Sequence, residues 1–429
     1  MKKKTLGVIG LWHLGCVLCA SWSRLEHKII GFDHDPVRVA ELNNASPPLF
    51  EPQLAENIKD GLAKGLLHFS NDIKILERCD FIFLSYDTPV TDDDSSDTLI
   101  LQKAIIDVRT IMKNEAILIV SSQSPVGLCR SLRSLLKSSN PTIDLAYSPE
   151  NLRLGDAIRH YLYPGRIILG TTNTKTQRKC RALFSHIPAE ILSMNLESAE
   201  MVKHGINSFL AVSIVLANHL ADICENTGAN IDDVVAGMKS DTRIGMKAYL
   251  SPGIGFSGGT LGRDLQVLRQ RNIEAMGDAV LFGMIHELNA LRKHTIIKRL
   301  EHILGSFNGK SIGVLGLTYK PGTSTLRRSL PMEITQILVA KGAKVTVHDP
   351  KADYNEIGGA SLFSTTENIE EAARQADALV LLTEWRNFKE FDWKDVPATM
   401  SRPVFFDTKN CLDENIMTKL GFEYYSIGR

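Results

Sequence analysis

Apolar positions in this chain follow two patterns, short unbroken runs and longer stretches in which they recur every three or four residues. Short runs bounded by turn residues read as buried strands, and the longer period reads as helices with one buried face. Thr5 to Ile9 is the first run; a glycine-containing turn, a helical stretch from about Cys16 to Leu25 and a second run, His27 to Phe32, follow it. This is the opening of a βαβ unit. Further runs at Phe81–Leu84, Ala116–Val120 and Arg166–Leu169 alternate with helical segments, as a doubly wound parallel sheet requires. A first domain is expected over residues 1–195.

From Ser198 to Thr227 the helical spacing persists without a proline, which predicts one long helix. Helical segments continue from Ile231 to Ile303, interrupted by a glycine-rich loop, so residues 196–303 read as a central helical domain. A second βαβ series opens at Ser311, with strands expected at Ser311–Leu315, Lys344–His348, Ala378–Leu382 and Val404–Phe406. Residues 304–429 are therefore expected to form a second Rossmann-like domain. The fold class is α/β: two Rossmann-like doubly wound domains joined by a long central helix and a helical middle region.

Length and composition fit this picture. A chain of 429 residues exceeds one ordinary core, and 44% hydrophobic with 23% charged residues is ordinary for a soluble enzyme. Lys+Arg and Asp+Glu are equal at 49 each, so no net field gathers nucleic acid or anionic lipid, and neither is expected as a partner. The basic start, Met1 to Lys4, leads into a stretch broken by Gly10, His13 and Gly15, unlike a secretory h-region, and no run is read as long enough to span a membrane. Seven cysteines, an odd number, suit a reducing compartment, so a cytoplasmic location is expected. Cys16 and Cys19 form a C-x-x-C, but no second pair completes a zinc set, so both are read as buried structural thiols and no metal is expected.

Candidate chemistry begins at Gly10-Leu-Trp-His-Leu-Gly15, which follows a strand and opens a helix where the G-x-G-x-x-G dinucleotide fingerprint belongs. Asp33 closes the second strand at about the expected distance of roughly 20 residues, placed to accept ribose hydroxyls and to repel a 2′-phosphate, which favours NAD. Gly10, Trp12, His13, Leu14, Gly15 and Asp33 are thus cofactor candidates. Trp12 stands at the middle glycine position, so its indole must swing away or push the phosphates off by roughly an ångström or more.

Within the loop Pro252 to Asp264, Gly255-Phe-Ser-Gly-Gly-Thr-Leu-Gly-Arg-Asp264 aligns without a gap on Gly-Phe-Gly-Gly-Ser-Cys-Phe-x-Lys-Asp, the active-site loop of the nucleotide-sugar 6-dehydrogenases, with Thr260 at the cysteine. Ser148-Pro-Glu-Asn-Leu-Arg-Leu-Gly155 is similar to that family's Asn-Pro-Glu-Phe-Leu-x-Glu-Gly, with Leu154 at the second glutamate. Ser121-Ser-Gln-Ser-Pro-Val-Gly127 resembles Lys-Ser-Thr-Val-Pro-Val-Gly, with Gln123 at the threonine. Ala199-Glu-Met-Val-Lys203-His-Gly-Ile-Asn207 matches the central-helix motif. Gly316-Leu-Thr-Tyr-Lys320-Pro-Gly-Thr-Ser-Thr-Leu-Arg327 looks like Gly-Leu-Ala-Phe-Lys-Pro-x-Thr-Asp-Asp-x-Arg, with Ser324 and Thr325 at the acids. Leu382-Thr-Glu-Trp385, Phe406-Asp-Thr-Lys-Asn410 and Tyr425-Ser-Ile-Gly-Arg429 also match, and the resemblance covers nearly the whole chain.

The resemblance implies an NAD-dependent oxidation of a nucleotide-diphosphate sugar such as UDP-glucose at C6, to the aldehyde or the uronic acid. In the family the cysteine traps the aldehyde as a thiohemiacetal. Carried over, Lys203 and Asn207 stabilise the alkoxide, Asp264 orients or activates water, and Glu150 assists hydrolysis. Thr260 completes the catalytic candidates, although a neutral alcohol attacks poorly without an adjacent base. His204 points about 100° away from Lys203 on the helix, and Cys224 lies about 25 Å beyond Asn207 along it, so neither replaces the missing chemistry. Arg38, Thr88, Pro89, Ser122 and Arg263 join the cofactor candidates. Asn151, Leu152, Arg153, Tyr249, Ser251, Gly253, Gly255, Gly259, Lys320 and Arg327 are the substrate candidates. A homodimer through the central helix is expected, with Arg243 or Arg166 serving a neighbouring subunit. The alternative is a nucleotide-sugar-binding or regulatory protein that keeps the fold without turnover.

Overall fold

The computed structural model describes residues 3–88, 97–149, 152, 154–257, 259–359 and 362–429. The chain divides into two compact units, Met1–Gly205 and Ile206–Arg429. The first holds eight strands: β1 (Thr5–Ile9), β2 (Lys28–Phe32), β3 (Leu67–Ser70), β4 (Phe81–Leu84), β5 (Ile117–Val120), β6 (Asp144–Tyr147), β7 (Ile167–Gly170) and β8 (Ile191–Met194). They are ordered β3-β2-β1-β4-β5-β6-β7-β8. Every pairing is parallel except β6–β7, which meets at Tyr147 and Gly170. β1, β4, β5, β6 and β7 are buried almost throughout, and β4 and β5 consist only of Val, Ile, Leu and Phe, as strands covered on both faces can.

The second unit repeats the plan with β9 (Ser311–Leu315), β10 (Lys344–His348), β11 (Ser364–Thr365), β12 (Ala378–Leu381), β13 (Val404–Asp407) and β14 (Glu423–Ser426). Their order, β11-β10-β9-β12-β13-β14, is the one in which the strand sequence reverses beside the first strand, and ligands of such sheets sit beyond the strand ends at that reversal. The first sheet reverses at the same place, between β1 and β4.

The central helix runs unbroken from Leu196 to Thr227, about 48 Å long at 1.5 Å per residue. Its length and mean hydropathy of 1.5 meet the measure of a membrane span, which the sequence reading did not anticipate. Half of that apolar stretch is buried within the protein, the behaviour of a core helix. Cys16 and Cys19 are fully buried in the first core, where burial raises both thiols far above their ordinary range.

Candidate active site

The first unit builds its phosphate loop at the end of β1. Gly10 has φ +92°, and a Cβ on Gly15 would sit 1.9 Å from the Gly10 carbonyl oxygen, so both positions demand glycine. Position 12 does not: Trp12 adopts φ −86° and ψ −158°, open to any residue. Its indole swings outward to lie under the Arg38 guanidinium, 5.2 Å from the ring centroid. The first helix, His13–Arg24, starts directly after this loop, and the amide groups at its N-terminus fit a dinucleotide pyrophosphate.

Asp33 distinguishes the two sheets. It is buried and accepts three hydrogen bonds, from Leu11 N at 2.7 Å, Asp35 N at 3.0 Å and Arg38 Nη1 at 3.4 Å. A carboxylate has about four lone-pair sites, so Asp33 retains capacity for a ribose hydroxyl. Asp349, its counterpart after β10, accepts from Leu317 N, Thr318 N, Thr318 Oγ1, Trp385 Nε1, Lys351 N and Ala352 N. That set saturates it, so only the first sheet offers this dinucleotide signature.

Other cofactor candidates are placed as follows. Leu14 is buried, and Ser122 is buried with its hydroxyl donating to Leu84 O at 3.2 Å. Thr88 Oγ1 lies 3.5 Å from Gln123 O. Pro89, Glu150, Asn151 and Arg153 lie outside the described residues, whereas Leu152 is half-buried against the first core. The central helix fixes the segment carrying Ser122 and Gln123: Glu200 accepts from Gly127 N at 2.6 Å and Cys129 N at 2.8 Å, and His204 Nε2 donates to Ser124 O at 2.9 Å. Burial raises the Glu200 carboxyl above its ordinary value despite these donors. His204 Nε2 is thereby engaged with the backbone.

Lys203 and Asn207 are each only 7% exposed, so neither is a solvated surface group. They are one turn apart on the unbroken helix. In the second unit Asn207 Nδ2 donates to Asp264 Oδ2, and Asp264 is fully buried. Asp264 belongs to the helix Gly259–Met276, whose first turn carries Thr260, exposed and one turn ahead of Asp264. Arg263 on the same helix is half-buried. The structure thus gathers Asn207, Asp264 and Thr260, with Lys203 one helical turn along from Asn207. Cys224 sits in a separate apolar cluster with Ile231, Ile254 and Ile296 on the same unbroken helix.

The glycine-rich loop before that helix is held by polar side chains that sequence reading missed. Asn218 Oδ1 accepts from Gly253 N at 2.8 Å, and Arg292 Nε donates to Gly253 O at 2.9 Å. Asn289 Oδ1 accepts from Phe256 N at 2.8 Å while its Nδ2 donates to Phe256 O at 3.0 Å. Gly255 has φ +102°, and a Cβ there would meet Asn289 Oδ1 at 2.6 Å. Buried Asn and Arg amid helical apolar spacing were the available signal. Tyr249 and Ser251 are exposed at the loop's start, Gly259 opens the helix, Lys320 is half-buried with its ammonium 5.7 Å from the Tyr319 ring centroid, and Arg327 is exposed. Arg243 is paired with Asp241 at 2.6 Å and Arg166 is half-buried.

A Rossmann-type sheet with a phosphate loop and a ribose-capable acid in the first unit, and a second Rossmann-type sheet in the other, are the architecture of an NAD-dependent dehydrogenase. Residues 4–188 match the NAD binding domain of the UDP-glucose/GDP-mannose dehydrogenase family, 197–290 its central domain and 313–414 its UDP binding domain. The chain belongs to this family, and its substrate is a nucleotide sugar. It is 31% identical to the UDP-glucose 6-dehydrogenase of Rickettsia typhi, covering 98% of both chains. It is also 31% identical to the UDP-glucose 6-dehydrogenase YwqF of Bacillus subtilis, over 98% of this chain and 97% of that one. Among solved structures, a UDP-glucose dehydrogenase from Pyrobaculum islandicum superimposes with a TM-score of 0.90 at 25% identity, over 100% of this chain and 98% of that chain.

Proposed function

We propose that this chain oxidises a UDP-glucose-like nucleotide sugar at C6, to the aldehyde or onward to the uronic acid, without a covalent cysteine intermediate. The observation that carries the reading is the buried Asn207–Asp264 pair one turn from Thr260, with Lys203 buried beside Asn207 on the central helix. Bound NAD supplies the two-electron acceptor. Lys203 Nζ and an Asn207 amide hydrogen stabilise the oxygen on C6 as its proton leaves. The aldehyde then adds one water, Asp264 orienting it and taking its proton to leave the gem-diol as its monoanion, and loss of a second hydride to a second NAD, exchanged for the NADH first formed, leaves the carboxylic acid. No step calls on sulfur.

Incubating the purified protein with NAD and UDP-glucose or GDP-mannose, and counting NADH per sugar consumed, tests this. Two per sugar is the result for full oxidation and one for an aldehyde product. Sugar binding without NADH would instead establish the non-catalytic, regulatory reading.

A homodimer through the central helix is part of the proposal. Phe209, Leu216 and Ile223, seven residues apart and so on one helical face, are 66%, 44% and 58% exposed. Replacing both Phe209 and Leu216 by glutamate is expected to halve the mass measured by light scattering, with the circular dichroism spectrum preserved; an unchanged mass would place the interface elsewhere.

A further inference from the structure

Glu51 is 3% exposed and was not a candidate on sequence. Its Oε2 accepts from His13 Nε2 at 2.9 Å and from Gly155 N at 3.0 Å, and its Oε1 accepts from Ala157 N at 2.8 Å. His13 is the first residue of the helix that opens at the phosphate loop. Gly155, at φ +90°, ends the segment that carries Leu152, and Ala157 begins the helix Ala157–Leu162, whose preceding residue Asp156 makes no side-chain cap. One carboxylate therefore joins the cofactor loop to the segment assigned to the sugar, across 38 residues on one side and 104 on the other.

Charge-assisted hydrogen bonds are the strong kind, and a buried acceptor shared among three donors holds them in one arrangement. Burial alone would raise the Glu51 carboxyl; the His13 hydrogen bond and the two amides outweigh it and hold the group below its ordinary value. A second strut runs beside it, Trp22 Nε1 donating to the Tyr161 hydroxyl at 2.8 Å, so the two helices are tied at both ends.

We propose that Glu51 is a positioning residue that couples the two binding events: engagement of the phosphate loop by NAD fixes His13, and through Glu51 fixes the backbone at Gly155 and Ala157, which follows the substrate candidate Leu152. The inference rests on the nucleotide-sugar reading and names a regulation of the same site. A displacement at either end of a rigid shared acceptor changes the other, and the coupling is reciprocal.

Calorimetric titrations of the intact wild-type protein with NAD alone and with UDP-glucose alone come first; absence of either isotherm overturns the substrate reading itself, and the coupling with it. With both present, NAD is expected to tighten UDP-glucose binding by about tenfold, and in Glu51→Gln, which keeps the shape but puts N–H groups against the amide donors, by less than about twofold. The same variant is expected to raise KM for the sugar more than it lowers kcat. An equal coupling factor in wild type and variant, or none in wild type, overturns the proposal. Hydrogen exchange of the wild type guards against a variant that fails to fold: adding NAD is expected to slow exchange at Gly155 and Ala157 by about tenfold, and unchanged exchange there overturns the proposal as well.

Discussion

Asp264→Asn is expected to lower kcat for the nucleotide sugar by a factor on the order of 10² to 10⁴, the range of a lost general base, while KM for NAD stays within about twofold. Asparagine keeps the volume and an oxygen that can still accept from Asn207 Nδ2, so the fully buried contact survives and the loss is one of charge. What disappears is the acceptor that takes a proton from water. Unfolding temperature and NAD affinity, measured alongside the rate, separate this from damage to the fold. A rate within about tenfold of wild type, with the temperature unchanged, would mean that Asp264 props the loop helix and that the proton leaves by another route.

The sheets were legible in sequence because their strands are uninterrupted apolar runs between turn residues. β1, β4, β9 and β10 lie where the pattern places them, β2, β5, β12 and β13 differ by one residue at one end, and β7 is shifted by one residue at both. β3, β6, β8, β11 and β14 escaped for physical reasons. β3 alternates with an exposed His68, β8 is half-buried along its length and β6 opens on a buried aspartate, Asp144, so none reads as a continuous apolar run. The antiparallel β6–β7 pairing leaves no trace in either strand's composition.

Within the site, the fingerprint glycines and the central-helix and loop motifs were legible because local backbone geometry and helical spacing demand particular residues. Partnerships across the fold were not. Asp33 and Asp349 each close a second strand and look alike in sequence; only topology brings Thr318 and Trp385 to saturate the second. Glu51 could not be assigned to Gly155, 104 positions further along, without knowing that the chain between them folds back. The exchange of glycine for Trp12 left open in sequence whether the indole swings away or displaces the phosphates; the backbone there is ordinary and the ring has Arg38 to lie against.

Thr260→Cys is expected to change the course of the reaction more than its first step. Position 260 is exposed in the first turn of the helix Gly259–Met276, where unpaired amide N–H groups and the helix dipole favour a negative charge. A thiol at such a place titrates low enough to exist as thiolate near neutrality, whereas the same field leaves a threonine hydroxyl protonated. The variant is therefore expected to trap the aldehyde as a thiohemiacetal and pass a second hydride to NAD, leaving a thioester. Hydrolysis of that thioester meets Gln123 and Leu154 in place of the family's threonine and glutamate, so it should be slow. The signature is a burst of about two NADH per site followed by a slower steady rate, the kinetic mark of an accumulating acyl-enzyme. Intact-mass spectrometry should find the sugar nucleotide attached to residue 260, and iodoacetamide should abolish the burst in the variant while sparing the wild type. If the variant shows neither adduct nor burst, and its ratio of NADH to sugar equals that of the wild type, the reacting carbon does not reach residue 260. The wild-type chemistry would then owe nothing to the exchange of sulfur for oxygen.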